Sequence, residues 1–126
     1  MLRCLIVDDS PQFLDVARML LEREGIAVVG MAATGAEAVR QAAALRPDVT
    51  LLDITLGDES GFELAERLVH EADVTPSSMI LISTHAEEDY AELIAESPAV
   101  GFLPKTTLSA HAIRDLLDDV SDPPGK

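Results

Sequence analysis

Five short runs of apolar residues, rich in Val, Ile and Leu, recur along the chain. They cover residues 5–7, 27–31, 49–52, 79–82 and 100–103, and the last run is the weakest. Runs that are almost continuously apolar are typical of strands buried on both faces of a parallel sheet. Because a short apolar run can also belong to a buried helix, the segments between the runs decide which interpretation holds.

Those segments carry apolar residues three or four positions apart, which is the spacing of one face of an α-helix. Five such stripes follow the five runs, so the chain is predicted to alternate strand and helix five times. The stripes are formed by Phe13, Ala17, Leu20 and Leu21; Ala38, Ala42 and Leu45; Phe62, Ala65 and Leu68; Tyr90, Leu93 and Ile94; and Ile113, Leu116 and Leu117.

Signals for helix starts and ends fall at the edges of these stripes. Ser10 followed by Pro11 is typical of a helix N-terminus, and Gly25 is well placed to end that first helix. Pro47 prevents the second helix from continuing. Capping-box pairs begin the second and third helices: Thr34 with Glu37, and Ser60 with Glu63.

This alternation predicts an α/β fold in which helices cover both faces of one sheet. We predict a single doubly wound, five-stranded parallel sheet of the flavodoxin-like type, with strand order 2-1-3-4-5. Residues 1–120 are predicted to form one domain. Residues 121–126 contain two prolines and a glycine and are predicted to be a flexible tail or the start of a linker.

Composition and charge narrow the classes of function. A chain of 126 residues, 48% of them hydrophobic, can bury the core of one domain. A net charge of -14 leaves no basic stripe, so we expect no direct binding of nucleic acid. The single cysteine, Cys4, excludes an intrachain disulfide, and Asp8 and Asp9 end the first apolar run far short of a membrane span. We therefore expect a cytoplasmic protein with no membrane contact.

Polar side chains follow four of the predicted strands. Asp8 and Asp9 follow strand 1, Asp53 follows strand 3, Ser83 follows strand 4 and Lys105 follows strand 5. In an open parallel sheet, ligands bind outside the carboxyl ends of the strands, at the point where the strand order reverses. These five residues are therefore predicted to converge at one edge of the sheet.

The chemistry of this set favours phosphoryl transfer. Three neighbouring carboxylates repel one another unless a cation joins them, and hard oxygen ligands favour Mg²⁺. A lysine and a hydroxyl can then hold the oxygens of a phosphoryl group. Each residue alone has a simpler interpretation, since an Asp or Ser after a strand is usually a helix cap and a lone lysine is usually a solvated charge. The three histidines, His70, His85 and His111, show no ligand spacing, and we assign none to a metal.

Four motifs, in order and at matching spacing, make the chain similar to the receiver domains of bacterial response regulators in two-component signalling. The motifs are LIVDDS, LLDITLGDESG, ILIST and GFLPK, and the resemblance covers residues 2–120. It implies that Asp53 accepts a phosphoryl group from a sensor histidine kinase or a phosphotransfer protein, with Mg²⁺ as cofactor. It implies no enzyme activity beyond the chain's own phosphorylation and dephosphorylation.

The resemblance also implies which residues hold the metal. Asp9 and Asp53 correspond to direct Mg²⁺ ligands, and Asp8 corresponds to a residue that acts through water. Thr55 corresponds to the residue whose backbone carbonyl completes the protein ligands.

Further matching residues imply a conformational switch. Ser83 corresponds to a hydroxyl that moves onto the phosphoryl group, and Lys105 to the lysine that pairs with a phosphoryl oxygen. Phe102 corresponds to an aromatic residue whose ring turns inward once the hydroxyl has moved, and Gly61 to the glycine beyond the acceptor loop. The surface expected to change comprises helix 4, strand 5 and helix 5, residues 87–120, and would control a partner, a homodimer or a downstream effector domain.

Apolar contacts for that partner are expected from this surface. The residues that we expect to supply them are Tyr90, Ile94, Ala110 and Ile113, some of which must instead face the sheet.

Three positions depart from the family pattern. The proline usual four residues after the acceptor is Gly57, which predicts a more mobile loop. The residue after the switch hydroxyl is Thr84, whose branched side chain would narrow access to Asp53. Lys105 is followed by Thr106 and not by proline, so a trans peptide is expected there. None of these changes removes a catalytic group.

Two alternative functions remain open at this point. A haloacid-dehalogenase-like phosphatase also uses an aspartyl phosphate and Mg²⁺, but its nucleophile follows strand 1 and a second Asp lies two residues later. A pseudo-receiver would serve only as an interaction module and would not be phosphorylated.

Overall fold

A five-stranded parallel sheet forms the centre of the computed structural model, which describes residues 1–121. The strands are β1 (Arg3–Val7), β2 (Ala27–Ala32), β3 (Val49–Asp53), β4 (Met79–Ser83) and β5 (Gly101–Pro104). Their order is β2-β1-β3-β4-β5, and every neighbouring pair is parallel. This confirms the predicted fold class and strand order.

Helices cover both faces of the sheet. They are α1 (Pro11–Arg23), α2 (Gly35–Leu45), α3 (Gly61–Ala72), α4 (Ala91–Glu96) and α5 (Ala110–Ser121). Among the described residues, three short 3-10 turns occur at Pro76–Ser78, Glu87–Tyr90 and Lys105–Thr107. The predicted tail, residues 121–126, lies outside the described residues apart from Ser121, the last residue of α5.

Residues that alternate along the strands fill two hydrophobic cores, one on each face of the sheet. Leu5 and Val7 of β1 join the core beneath α2 and α3. Cys4 and Ile6 join the core beneath α1 and α5. Because both sets are fully buried, the apolar runs are almost continuous, as a parallel sheet covered on both sides requires.

Helix ends follow the predicted local signals. The Ser10 hydroxyl accepts a hydrogen bond from the Phe13 N–H at 3.3 Å, and Gly25, after the end of α1, has φ +93°. Before Pro47, Arg46 adopts a left-handed conformation with φ 47° that ends α2.

The fourth helix differs from its prediction. Tyr90 belongs to a 3-10 turn, α4 has only six residues, and Leu93 of the predicted apolar stripe is 48% exposed. Ala110 and Ile113 are buried against the sheet, so of the four residues expected to offer partner contacts these two face the sheet instead. The apolar surface that remains near α4 therefore includes Leu93.

The loop after β3 forms an antiparallel hairpin that was not predicted. Thr55–Leu56 pairs with Glu59–Ser60, and Gly57 has φ +58° at the first central position of the turn. A glycine there is typical of a type II′ turn, and proline could not adopt this φ. The Glu59 carboxylate accepts a hydrogen bond from the Gly35 N–H at 3.0 Å, which ties the hairpin to the start of α2.

Candidate functional site

Three aspartates meet at the carboxyl ends of β1 and β3. Because these strands are neighbours, Asp8 and Asp9 lie beside Asp53, and one carboxylate oxygen of each lies within 4.8 Å of the others. Asp8 is fully buried and Asp53 is nearly so, whereas Asp9 is exposed. The structure thus brings together the three carboxylates that the sequence predicts at this edge.

Lys105 reaches this cluster from the end of β5. Its Nζ lies 2.6 Å from Oδ2 of Asp8 and 3.3 Å from Oδ2 of Asp53. The same Nζ lies 4.5 Å from the ring centre of Phe13, close enough for a cation–π contact. Phe13 was predicted only as part of a helical stripe, and its role beneath the lysine depends on how α1 packs.

Burial and charge oppose one another in the pKa values of the site. Burial raises the pKa of Asp53, the Thr55 N–H lowers it, the Asp8 charge raises it and the Lys105 charge lowers it, and the net shift is upward. Burial lowers the pKa of Lys105, but its contacts with Asp8 and Asp53 outweigh that effect and raise it. The lysine is therefore held as a cation, while the negative charge on Asp53 is only partly compensated.

The donor set fits a divalent cation. Three carboxylates and one lysine leave two uncompensated negative charges, and the ligand atoms are hard oxygens. Oδ2 of Asp8 is buried and accepts no hydrogen bond of acceptable geometry, although Lys105 lies beside it. The site therefore has both the charge and the free lone pairs that a small cation requires.

Backbone N–H groups fix the orientation of two of the carboxylates. The Thr55 N–H donates to Oδ1 of Asp53 at 3.1 Å, and the Ser10 N–H donates to Oδ1 of Asp8 at 2.9 Å. Each bond uses the Oδ1 atom and leaves Oδ2 directed towards Lys105. Ligation by the Thr55 carbonyl stays a prediction.

Ser83 lies at the end of β4, buried, with its hydroxyl beside His85. Its Oγ accepts a hydrogen bond from the His85 N–H at 2.9 Å and lies 3.3 Å from Nδ1 of the same residue. The His85 ring packs edge-on against Tyr90, with 5.7 Å between ring centres. Sequence reasoning assigned His85 no role, although a histidine two residues after a strand-end serine was a usable signal.

Phe102 lies in the core, and only 7% of its surface is exposed. It pairs with Leu81 across β4 and β5 and belongs to the core cluster against which Tyr90 packs. The ring is therefore buried in this structure, and the role of Phe102 as a switch stays a prediction.

The glycine beyond the acceptor loop has a clear structural cause. The Gly61 N–H donates to the Ile54 carbonyl at 2.9 Å, and a Cβ on Gly61 would lie 2.6 Å from Ile54 Cα and collide with the Asp53 carbonyl. Only glycine permits this approach of α3 to β3.

Besides Gly57, two positions depart from the family pattern, Thr84 and Thr106, and both lie at the rim of the site. Thr84 is exposed beside Ser83, and no peptide bond within the described residues is cis, which includes the bond from Lys105 to Thr106.

Comparison with known proteins identifies the family. A family model of the response regulator receiver domain matches residues 4–118. The chain belongs to the response regulator receiver domain family. It is thus a receiver domain of two-component signalling, and the resemblance noted from the four motifs is confirmed.

Relatives and solved structures agree with this assignment. A protein-glutamate methylesterase/protein-glutamine glutaminase of Methanospirillum hungatei JF-1 is 39% identical over 84 residues, which are 66% of this chain and 23% of that protein. The uncharacterised transcriptional regulatory protein YvfU of Bacillus subtilis (strain 168) is 34% identical over 121 residues, which are 95% of this chain and 58% of that protein. This receiver domain therefore spans less than two thirds of either relative.

A two-component response regulator of the LuxR family from Aurantimonas sp. SI85-9A1 has a similar crystal structure. The TM-score is 0.81 at 28% identity, covering 94% of this chain and 86% of that one. Within residues 1–121 of this receiver domain, no helix has the length and apolar character needed to cross a membrane.

Proposed function

We propose that this receiver domain accepts a phosphoryl group on Asp53 from a sensor histidine kinase or a phosphotransfer protein, in a Mg²⁺-dependent reaction. The convergence of Asp8, Asp9 and Asp53 with Lys105 is the observation that carries the proposal. Among these carboxylates, Asp53 alone ends the central strand β3, and one of its oxygens already contacts the lysine.

In the proposed transfer, a carboxylate oxygen of Asp53 attacks the phosphorus of a phosphohistidine. The new O–P bond forms as the P–N bond breaks, and the departing imidazole nitrogen keeps the electron pair and takes a proton from solvent. Lys105 then pairs with a phosphoryl oxygen, for which its Nζ is already placed 3.3 Å from Asp53. Asp9, Asp53 and the Thr55 carbonyl would hold Mg²⁺, and Asp8 would act on it through water. The bound ion would neutralise the phosphoryl charge.

The phosphoryl group is proposed to act as a switch through Ser83. Its hydroxyl would leave His85 Nδ1, 3.3 Å away in this structure, and donate to a phosphoryl oxygen. The release of His85 and Tyr90 would then change the surface formed by α4, β5 and α5. That surface would control a partner protein, a second copy of the chain or an effector domain.

We propose further that the chain acts in the cytoplasm, without direct contact to nucleic acid or membrane, and catalyses only its own phosphorylation and dephosphorylation. Its relatives include proteins named as methylesterases and as transcriptional regulatory proteins, which supports an output through a further effector domain. The net charge of -14 supports the absence of a nucleic-acid surface.

Labelling with a small phosphodonor tests the acceptor directly. Incubation with acetyl phosphate and Mg²⁺ should add one phosphoryl group to the wild type and none to Asp53→Asn, as measured by mass spectrometry of the intact chain. The control is Asp58→Asn, an exposed aspartate in the same hairpin, which should label like the wild type.

Three outcomes would contradict the proposal. Labelling retained in Asp53→Asn would place the acceptor elsewhere, and absence of labelling in the wild type with both acetyl phosphate and a phosphorylated kinase would favour the pseudo-receiver. Sustained turnover of phosphate esters would favour the haloacid-dehalogenase-like phosphatase.

A further inference from the structure

An open groove lies between α3 and α4, away from the aspartate cluster. Its volume is about 220 Å³, and its apolar floor is formed by Phe62, Leu93 and Pro98. Leu93 is 48% exposed, which is unusual for a large hydrophobic residue of this chain. The Phe62 ring packs against Tyr90 at 6.1 Å between ring centres, so one side of the floor is held in place.

The rim of the groove is acidic. Glu63 and Glu66 of α3 face it from one side and Glu96 of α4 from the other. Within residues 1–121 none of these three carboxylates forms an ion pair. Between Arg67 and Lys105 the sequence contains no lysine or arginine, so no basic residue of α4 or the turn before it can compensate the rim.

A second copy of the chain does not match this surface. Self-association through the groove would bring two acidic rims together in molecules that each carry a net charge of -14. Like charges across an interface are unfavourable by several kcal/mol. An anionic membrane surface would be repelled for the same reason.

We propose that the α3–α4 groove binds a basic amphipathic helix of a partner protein. An apolar side chain of that helix would lie on Leu93 and Phe62, and flanking lysines or arginines would pair with Glu63, Glu66 and Glu96. Helices recognise grooves in this way, with apolar residues three or four positions apart entering the groove. The volume of the groove suits one or two large apolar side chains.

A synthetic peptide of two Leu-Lys-Lys-Leu-Leu-Lys-Leu repeats, labelled with fluorescein, is the probe. Its affinity for the full chain is measured by fluorescence anisotropy at physiological ionic strength. Leu93→Ser should weaken binding several-fold, since Leu93 is already about half buried and only its exposed half loses contact with water when the helix docks. The double variant Glu66→Gln/Glu96→Gln should weaken binding by a similar factor, and the same peptide with Glu for Lys should not bind.

Two matched controls come from α1. Met19→Ser removes an apolar side chain that is 58% exposed, and Glu22→Gln removes an exposed carboxylate, neither of them near the groove. Both variants should bind the peptide as the wild type does. Because Leu93 and Met19 are exposed, neither serine variant should lose its fold, and circular dichroism confirms this in each case.

Equal weakening by the α1 controls would show diffuse attraction to an acidic surface and would overturn the proposal. Self-association in sedimentation that is lost in Leu93→Ser would identify a second copy as the occupant and would also overturn it. Labelling of Asp53 by acetyl phosphate should be unchanged in all variants. The experiment therefore tests helix binding by the groove separately from phosphorylation of Asp53.

Discussion

Nζ of Lys105 and Oδ2 of Asp8 lie 2.6 Å apart, and Asp8 is fully buried. The carboxylate has no other counter-ion within the described residues, because Asp8 appears in no ion pair except this one. A buried ion pair adds little stability compared with apolar residues, but removing one partner leaves an uncompensated charge and is strongly destabilising. Lys105 therefore holds the cluster together in this structure, and we propose that it pairs with the phosphoryl group after transfer.

Lys105→Met should lower the free energy of unfolding of the metal-free protein by about 3 kcal/mol at neutral pH. The raised pKa of Lys105 means that its stabilising contribution is fully present below the ordinary lysine pKa and is lost as the pH rises through the folded value. Urea unfolding measures both effects. Arg67→Met, which breaks the exposed ion pair with Glu71, is the control and should change stability little. Equal losses of unfolding free energy in Lys105→Met and Arg67→Met would contradict a special role for Lys105.

Asp53→Asn should make the metal-free protein more stable at neutral pH, because it removes a charge that burial disfavours. A carboxyl with a raised folded pKa stabilises the fold most below its unfolded pKa, and that contribution is lost as the pH rises through the folded pKa. The advantage of the variant should therefore disappear in acid. Melting curves from acidic to neutral pH test this, and a variant less stable than the wild type at neutral pH would contradict it.

Mg²⁺ should reverse the order of stability, so that the wild type becomes more stable than Asp53→Asn. At a concentration a hundred times its dissociation constant, the ion should stabilise the wild type by about 2.7 kcal/mol. Asp9→Asn and Asp53→Asn should lose most of this gain, while the exposed Asp58→Asn should keep it. A large loss of metal-free stability in Asp9→Asn would instead indicate a structural role for that residue.

Gly61→Ala should destabilise the fold by about 2 kcal/mol, because its Cβ would meet the backbone of Asp53 and Ile54, which cannot give way easily. Displacement of β3 should also slow labelling of Asp53. At Gly101 the atoms nearest to an added Cβ belong to the Leu116 side chain, which can move more easily than backbone, so Gly101→Ala is the control and should cost less. Thermal unfolding and labelling rates measure the two effects, and equal costs would contradict this explanation.

The fold could be predicted because its signals are local. Burial on both faces makes the inner strands β1, β3 and β4 almost continuously apolar, as Leu51 and Leu52 show by facing opposite cores. The strand-end positions of Asp8, Asp53 and Lys105 then follow from the topology alone.

The features that sequence reasoning missed depend on contacts between distant residues. The hairpin after Asp53 is tied down by Glu59, which binds the start of α2 at Gly35, 24 residues earlier. Leu93 fits a helical stripe, but α4 has only six residues and leaves Leu93 48% exposed, while its neighbour Ile94 packs against the core. Tertiary packing decides which residues of a helical stripe are buried. The periodicity of the sequence does not carry that information.

The contact between Ser83 and His85 should break when the site takes up a phosphoryl group. A phosphate mimic, beryllofluoride, should draw the Ser83 hydroxyl from His85 Nδ1, because a ligand shifts such an equilibrium through its differential affinity for the two states. Amide shifts should then extend from residues 53–60 to the turn at Glu87–Tyr90 and to β5, since the His85 ring packs on Tyr90.

Ser83→Ala should still bind beryllofluoride with Mg²⁺ but lose most of the distant shifts. Thr84→Ala, at the exposed neighbouring position, is the control and should keep them. Because the Phe102 ring is already buried, the turn at Glu87–Tyr90 is expected to respond more strongly than Phe102. If the shifts in the wild type stay confined to the loops around Asp53, the domain carries phosphate without switching, and the contact between Ser83 and His85 is only structural.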